Sequence, residues 1–181
     1  TSRGARHIRD LLLAEGGAPD ACVIGEPSGW SRVTLGYKGR LLIDLEAERP
    51  MTHTAGPNPG ITTLATEMWN GVREFCEGFN QGLDRAFDQL LPSLRSIDTS
   101  GDGLRECVRA ICGIRLPLHF EPSELLRSLE TRLATRIGAD PPPQSELRSG
   151  TPVRPQRMEG AGGVLTLTYR GFEEAWRSEP G

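Results

Sequence analysis

The feature that most constrains the fold is a pair of segments in which apolar and polar residues alternate. In one of them the apolar positions are Val108, Ala110, Cys112, Ile114, Leu116 and Leu118. In the other, which spans residues 40–48, they are Leu41, Ile43, Leu45 and Ala47, with Leu42 as the exception. Because successive side chains of a strand point to opposite faces of its sheet, each segment predicts a strand with one buried and one polar face.

Two amphipathic helices are predicted to cover the buried face. The first spans residues 61–79, and its apolar face carries Ile61, Leu64, Ala65, Met68, Val72, Phe75 and Phe79. The second opens at Pro122, and its inward positions are Leu125, Leu126, Leu129, Leu133 and Ile137. Weaker strands are predicted over residues 91–98, before a turn at 99–103, and over residues 164–169. Residues 139–163 are rich in proline and glycine and are predicted to form a mobile loop.

This order of elements, β-α-β-β-α-β, predicts an α+β fold of the ferredoxin-like split type. Ahead of it, Ala5, Ile8, Leu11 and Leu12 recur at helical spacing and predict a short helix over residues 3–15, followed by a buried strand over 21–24. Two such elements cannot cover each other's apolar faces, so we expect them to be the edge of an α/β domain. The chain begins with Thr rather than Met, and we expect it to be an excised segment.

Composition narrows the classes of function. The net charge is −3, and no basic stripe interleaves with aromatic residues, so nucleic acid is not an expected partner. There is no run of 18 apolar residues, so no membrane partner is expected either. The four cysteines (Cys22, Cys76, Cys107 and Cys112) have no CxxC spacing, and Cys107 and Cys112 would face opposite sides of one strand. We expect reduced thiols in a cytoplasmic protein.

Three motifs carry a resemblance to a known family. Residues 23–30 read Val-Ile-Gly-Glu-Pro-Ser-Gly-Trp, residues 35–40 read Leu-Gly-Tyr-Lys-Gly-Arg, and residues 52–57 read Thr-His-Thr-Ala-Gly-Pro. The chain resembles the zinc-dependent amidohydrolases that include acetylornithine deacetylase and succinyl-diaminopimelate desuccinylase. The first two motifs are most similar to those of the branch that releases lysine or ornithine from an amino-group carrier protein.

The resemblance implies that residues 31–171 are the lid, or dimerisation, domain of such a hydrolase. Residues 1–30 would then be a remnant of the catalytic domain, and residues 172–181 would lead back toward it. The parent enzyme would cleave an amide bond on an amino acid, in lysine or arginine biosynthesis, and would form a homodimer through the lid. Its substrate would be a small acyl-amino acid or a carrier-protein-bound amino acid, and the exact acyl or carrier group cannot be read from a lid.

The resemblance assigns a metal ligand and a catalytic group. Glu26 matches one ligand of a site for two zinc ions, and the other ligands would lie outside this chain, so the chain alone is expected to hold no zinc. On its own, a Glu-Pro turn is more often a solvated carboxylate. His53 matches a lid histidine that stabilises the oxyanion of the tetrahedral intermediate in the partner subunit, although a lone loop histidine is usually exposed. His7 and His119 are expected to be structural or exposed.

Lys38, Arg40 and Arg115 are weaker candidates for binding a substrate carboxylate. Lysine and arginine at such places are more often solvated strand ends, and a structural role for Arg115 is an equal alternative. The Asn-x-Ile-Pro segment common in lids of the family is replaced here by residues 101–104, Gly-Asp-Gly-Leu. This departure puts in doubt the substrate-carboxylate contacts that the loop supplies in the family, and the sequence leaves open which residues bind that carboxylate.

A second hypothesis is a free-standing ferredoxin-like module that dimerises or binds a small molecule and has no catalytic activity. It leaves the helix and strand of residues 1–24 unexplained. The lid hypothesis accounts for them as part of a larger domain.

Overall fold

The computed structural model describes residues 3–17, 30–31, 34–51, 60–143, 146–150 and 155–178. Its contacts divide the chain into two units, one made of residues 1–36 and 178–181, the other of residues 37–177. The described elements are, in chain order, α1 (Arg3–Ala14), β1 (Gly36–Tyr37), β2 (Gly39–Pro50), α2 (Thr62–Phe79), β3 (Leu91–Gly101), β4 (Arg105–Leu116), α3 (Ser123–Ile137), β5 (Gln156–Gly160), β6 (Gly163–Glu173) and β7 (Trp176–Arg177). None of the described helices is long and apolar enough to cross a membrane.

The larger unit is built on a five-stranded antiparallel sheet with β2 at its centre. The strand order is β3-β4-β2-β6-β5. β2 pairs along its whole length with β4 on one side, and from Arg40 to Glu48 with β6 on the other. The two-residue strands β1 and β7 pair with each other in a separate ribbon. The α+β class predicted from the sequence is confirmed.

Helices α2 and α3 cover one face of the sheet and form the core with it. Leu41 and Ile43 of β2 and Cys112 of β4 have no exposed surface, and Leu42, which breaks the alternation, lies on the other face. Both alternating strands are therefore confirmed. β4 ends at Leu116 and not at Leu118, since Pro117 has no N–H group to donate to the ladder.

The two long helices are confirmed, with one change in the face that α2 buries. Its buried positions run Leu64, Ala65, Met68, Val72 and Cys76. The four-residue spacing continues from Val72 to Cys76, so Phe75 and Phe79, which were predicted to point inward, lie at the edge of the core. Both rings instead make edge-to-face contacts with Phe120, at centroid distances of 6.5 and 5.4 Å. In α3 every predicted inward position is buried.

Glu130 is the one buried charged residue among those described, and it lies on the inner face of α3. The hydroxyl of Tyr169 on β6 donates a hydrogen bond of 2.9 Å to its carboxylate. Burial, with a smaller contribution from Glu130, raises the pKa of Tyr169 well above its usual range, so the phenol stays protonated and remains a donor. This bond ties α3 to the sheet inside the core.

The prediction of a mobile loop over residues 139–163 is wrong for its last part. Residues Gln156–Gly160 form β5, which pairs with β6 in a tight hairpin, so the sheet has five strands instead of four. The glycines that suggested a loop allow the β5–β6 hairpin to pack closely against the end of α3. The amide of Gly162 donates to the carbonyl of Ile137 at 2.9 Å, and a Cβ on Gly160 would overlap that carbonyl. Met158 is the single buried residue of β5. The segment therefore lacks the alternation of apolar and polar residues from which a strand is predicted.

In the smaller unit, the predicted N-terminal helix is confirmed as α1. It ends at Ala14. Gly16, in the turn just beyond, has a positive φ of 70°, and the amide of Gly17 bonds back to the carbonyl of Leu12. Three large apolar side chains of α1 are exposed, namely Ile8, Leu11 and Leu13. The strand predicted over residues 21–24 lies outside the described residues.

The packing of the β5–β6 hairpin on α3 predicts the effect of a single methyl group. Gly160→Ala should lower the free energy of unfolding by about 1–3 kcal/mol, because its Cβ meets backbone atoms that cannot move aside. Gly78→Ala is the matched control, since that glycine is exposed in α2 with open space around it and should gain about 0.5–1 kcal/mol. Urea denaturation measures both. Equal stability of Gly160→Ala and the unsubstituted chain would contradict the packing.

Candidate functional site

The face of the sheet opposite the helices is polar, and most of its charges are paired across strands. Arg109 of β4 lies 3.3 Å from Glu46 of β2, and Arg105 lies 3.2 Å from Glu48. Arg170 of β6 hydrogen-bonds Asp44. These pairs join residues that are opposite one another or diagonal in the ladder, where opposite charges stabilise a sheet by a few tenths of a kcal/mol each. Over this part of the face the arginines are neutralised within the protein.

At one end of the same face the arginines surround a cleft of about 230 Å³. Arg40 of β2 and Arg115 of β4, two of the three predicted substrate-binding residues, are direct partners in the ladder and both line it. The other lining residues are Leu42, Ser93, Arg95, Gly113 and Ile114. Among the residues that the structure describes, no carboxylate lines the cleft. The fold thus brings Arg40 and Arg115 together in a small basic depression.

Arg40 is held in place from the neighbouring strand. Its guanidinium lies 3.3 Å from the carboxylate of Glu173 on β6 and packs on Gly171. Its Nε is buried and has no hydrogen-bond partner among the described residues. These contacts direct the Arg40 guanidinium toward β6, and its buried Nε is closed to a ligand.

Lys38, the third predicted substrate-binding residue, is placed differently. Its Nζ donates to the carbonyl oxygens of Ala86 and Phe87, at 2.8 and 3.0 Å, and to that of Gln89. The ammonium also lies 5.8 Å from the ring centre of Phe87. An ammonium has three donors, and these three carbonyls use them all. Burial lowers the pKa of Lys38. These contacts give Lys38 a structural role, and its role in substrate binding remains a prediction.

The segment that replaces the family's Asn-x-Ile-Pro loop is a tight turn between β3 and β4. The carboxylate of Asp102 accepts hydrogen bonds from the amides of Leu104 and Arg105, at 2.9 and 2.7 Å, and these bonds lower its pKa. Gly103 has a φ of 87°, which favours glycine. The Asp102 carboxylate therefore stabilises this turn through the backbone.

Glu26 and His53 lie outside the described residues, so their predicted roles as metal ligand and oxyanion donor remain predictions. Within the described ranges, no group of three or more histidine, cysteine, aspartate or glutamate side chains is arranged to hold a metal ion. Three of the four cysteines are described, and all three are free thiols. His7 on α1 and His119 after β4 are exposed, as predicted.

Comparison with known proteins identifies the family. No protein-family model matches the chain. A LysW-lysine hydrolase of Deinococcus radiodurans is 37% identical over 143 residues, which cover 77% of this chain and 38% of that protein. A protein of Pyrococcus horikoshii named as a LysW-lysine/LysW-ornithine hydrolase is 30% identical over 67% of this chain and 33% of its own length. A succinyl-diaminopimelate desuccinylase of Paracoccus denitrificans is 25% identical over 75% of this chain and 36% of its own length. The chain belongs to the hydrolase family of these three proteins.

Membership of this hydrolase family confirms the resemblance seen in the sequence motifs. Two of the relatives are named as hydrolases of LysW-linked lysine or ornithine, and the third is named as a desuccinylase of succinyl-diaminopimelate. The chain spans only 33–38% of the relatives' own length. The activity, substrate and partners of a whole protein are therefore matters of proposal.

The contacts of Lys38 predict a stability effect. Lys38→Met should lower the free energy of unfolding by about 1–3 kcal/mol, because three carbonyl oxygens lose their shared donor. Arg109→Met removes a positive charge from an exposed pair and should cost less than about 1 kcal/mol. Urea unfolding of the two variants checks this difference, and an equal loss in both would remove the structural role of Lys38.

Proposed function

We propose that this chain is the lid and dimerisation part of a zinc-dependent hydrolase that cleaves an amide bond on an amino acid, together with adjoining pieces of its catalytic domain. The observation that carries the proposal is identity of 37% and 30% to two hydrolases over two thirds or more of this chain but little more than a third of theirs. A piece of this size corresponds to one part of such a hydrolase. The names of these two relatives favour an amino acid bound to a carrier protein as the substrate, and a small acyl-amino acid is the alternative.

The architecture of the larger unit supports the lid assignment. Counted along the chain without β5, its strands and helices follow the order β-α-β-β-α-β, and the sheet order β6-β2-β4-β3 is the one that the split ferredoxin-like motif produces. β5 is an addition at one edge. The exposed apolar side chains of α1 support a missing neighbour, since a small protein seldom leaves several large apolar residues of one helix in solvent. The alternative, a free-standing module without catalytic activity, gives these side chains no cover.

The proposed catalytic site is shared between this chain and the rest of the protein. Glu26 is the proposed zinc ligand of this chain, and the described residues do not by themselves fit a site for two zinc ions, since no ligand cluster occurs among them. The remaining ligands would come from outside the described residues. His53 would donate a hydrogen bond to the oxyanion that develops on the scissile carbonyl of the partner subunit's substrate. Arg40 and Arg115 would bind a carboxylate of the substrate, with the geometry of the cleft in support.

The proposed homodimer would form through the free edge of β3. Three apolar residues of this edge strand, Leu91, Leu94 and Ile97, are 37–41% exposed, and the ladder of β3 has no partner on its outer side among the described strands. An edge of this kind is a template for another strand, and two copies related by a two-fold axis would pair β3 with β3. The opposite edge, β5, has exposed Arg157 and Glu159 and is less suited to it.

The dimer interface has a direct test. Ile97→Lys, on the edge of β3, should convert the dimer to a monomer, because it buries a charge in the proposed interface. Leu104→Lys is the matched control, since Leu104 is 78% exposed in the turn beyond β3 and lies outside the strand edge. Light scattering coupled to size-exclusion chromatography gives the mass of each variant. A monomeric unsubstituted protein, or an unchanged dimer in Ile97→Lys, would refute pairing through β3.

The catalytic proposal is tested in a longer protein that contains this chain, purified with zinc. It should hydrolyse N-acyl or carrier-linked amino acids, and this chain alone should neither retain zinc nor show activity. His53→Ala should lower kcat by roughly 10² with unchanged zinc content, as expected for the loss of one oxyanion donor. His119→Ala, at an exposed position outside the proposed site, is the control and should keep full activity.

The action of His53 across the dimer can be tested by mixing subunits. A mixture of His53→Ala with Glu26→Ala should recover about a quarter to a half of the activity if each active site takes its histidine from the partner. Full activity of His53→Ala, or no recovery after demonstrated subunit exchange, would remove His53 from the mechanism.

A further inference from the structure

We propose that Arg95, on the edge strand β3, is a further substrate-binding residue that forms a two-arginine clamp with Arg115 for a carboxylate of the substrate. The proposal rests on the proposed function, which it deepens by adding a residue to the proposed carboxylate site. Sequence patterns gave no sign of Arg95, because it lies in a strand with weak alternation. Three observations on the cleft point to it independently of the sequence motifs.

The first observation is the glycine at the floor of the cleft. Gly113 is buried in the middle of β4, and its φ does not require a glycine. A Cβ at this position would meet the Cδ of Arg95 at 3.3 Å, the Oγ of Ser93 at 3.2 Å and a methyl group of Leu42 at 3.3 Å. Glycine inside a strand weakens it and often marks a close approach of backbone or ligand. Here its missing side chain makes room for the stem of Arg95 to lie across β4.

The second observation is a β-bulge at the same place. The register between β3 and β4 shifts between Leu94 and Ser96, so Arg95 is the extra residue without a partner in the ladder. Bulges occur at sheet edges and beside active sites, where they re-aim a side chain. In this sheet the bulge leaves Arg95 on the polar face, with its stem over Gly113 and beside Arg115.

The third observation is a local excess of positive charge. Along the rest of this face Arg105, Arg109 and Arg170 each have a carboxylate partner. Neither Arg95 nor Arg115 forms an ion pair with any residue that the structure describes, and no acidic residue lines the cleft. Like charges on neighbouring strands destabilise a sheet unless an anion lies between them. The cleft is therefore matched to an anion from outside.

The shape and donors of the cleft favour a carboxylate. Two guanidinium groups present planar pairs of donors, which match the two oxygens of a carboxylate. A volume of about 230 Å³ is enough for a small acid group. In an amide of an amino acid, the carboxylate of the released amino acid is the group of this size and charge. Arg95 would thus help select amino-acid amides over uncharged amides.

Binding to this chain tests the clamp without reference to catalysis. In an NMR titration at constant ionic strength, N-acetylglycine should cause saturable shifts at the amides of Arg95, Gly113 and Arg115. N-acetylglycinamide, which lacks the carboxylate, should cause none. Arg95→Gln should weaken binding of N-acetylglycine about tenfold, as expected for the loss of one charge-assisted hydrogen bond. Arg109→Gln, which removes the same charge from the same face away from the cleft, should bind as the unsubstituted chain does.

Several outcomes would overturn the proposal. Shifts that do not saturate, or binding that is unchanged in Arg95→Gln, would exclude Arg95. Sodium phosphate that binds as tightly as N-acetylglycine, with the same dependence on Arg95, would show a general anion site and exclude the carboxylate assignment. Gly113→Ala provides a second variant, and it should also weaken binding, because the methyl group displaces the stem of Arg95. Urea unfolding of each variant verifies that it is folded.

Kinetics in the longer protein separate this proposal from the proposed function. Arg95→Gln should raise KM for an N-acyl amino acid about tenfold and change kcat less than twofold, because the carboxylate is bound alike in ground and transition states. Loss of kcat with unchanged KM would overturn the clamp while leaving the hydrolase intact. A longer protein without any hydrolase activity would refute the proposed function, and the titration of this chain would still decide whether Arg95 and Arg115 bind a carboxylate.

Discussion

Burial of one face of the antiparallel sheet beneath α2 and α3 is the constraint on which the rest of the structure depends. The strand period of two links the two faces, so a slip of one residue would turn Leu41 and Ile43 outward and bring charged residues of β2 into the core. The packing of the helices therefore fixes which side chains reach the polar face. The positions of Arg40 and Arg115, opposite each other across β2 and β4, follow from that apolar packing and from no interaction between the arginines themselves.

On the polar face, the distribution of charge divides the surface into two parts. Where carboxylates of β2 face arginines of β4 and β6, the face is neutralised and contributes modestly to stability. At the other end of β2 the strand offers Arg40 and Leu42 instead of carboxylates, and the arginines there surround an open cleft. Two glycines allow close packing because they have no side chain. Gly160 permits the β5 hairpin to contact α3, and Gly113 leaves space for the stem of Arg95.

Two features of the chain agree with the proposed larger assembly. The apolar side chains of α1 are exposed, and the edge of β3 offers apolar residues and, among the described strands, an open ladder. Each is costly or without purpose in a small free-standing protein. Together with relatives about twice as long as this chain, they agree with the proposal that the chain is one part of a larger hydrolase.

The sequence by itself determined the elements whose signal is local. The alternation in β2 and β4, the helical spacing in α2 and α3 and the motifs that indicate the hydrolase family were all readable, because each depends on neighbours a few residues apart. The tertiary structure alone decided what depends on distant contacts. Lys38 meets carbonyls about fifty residues away, β5 exists because β6 and α3 offer it a partner, and Arg95 is defined by a bulge against β4. In each case the residue is visible in the sequence, but its contacts are made by segments far away along the chain. No local pattern predicts contacts of that kind.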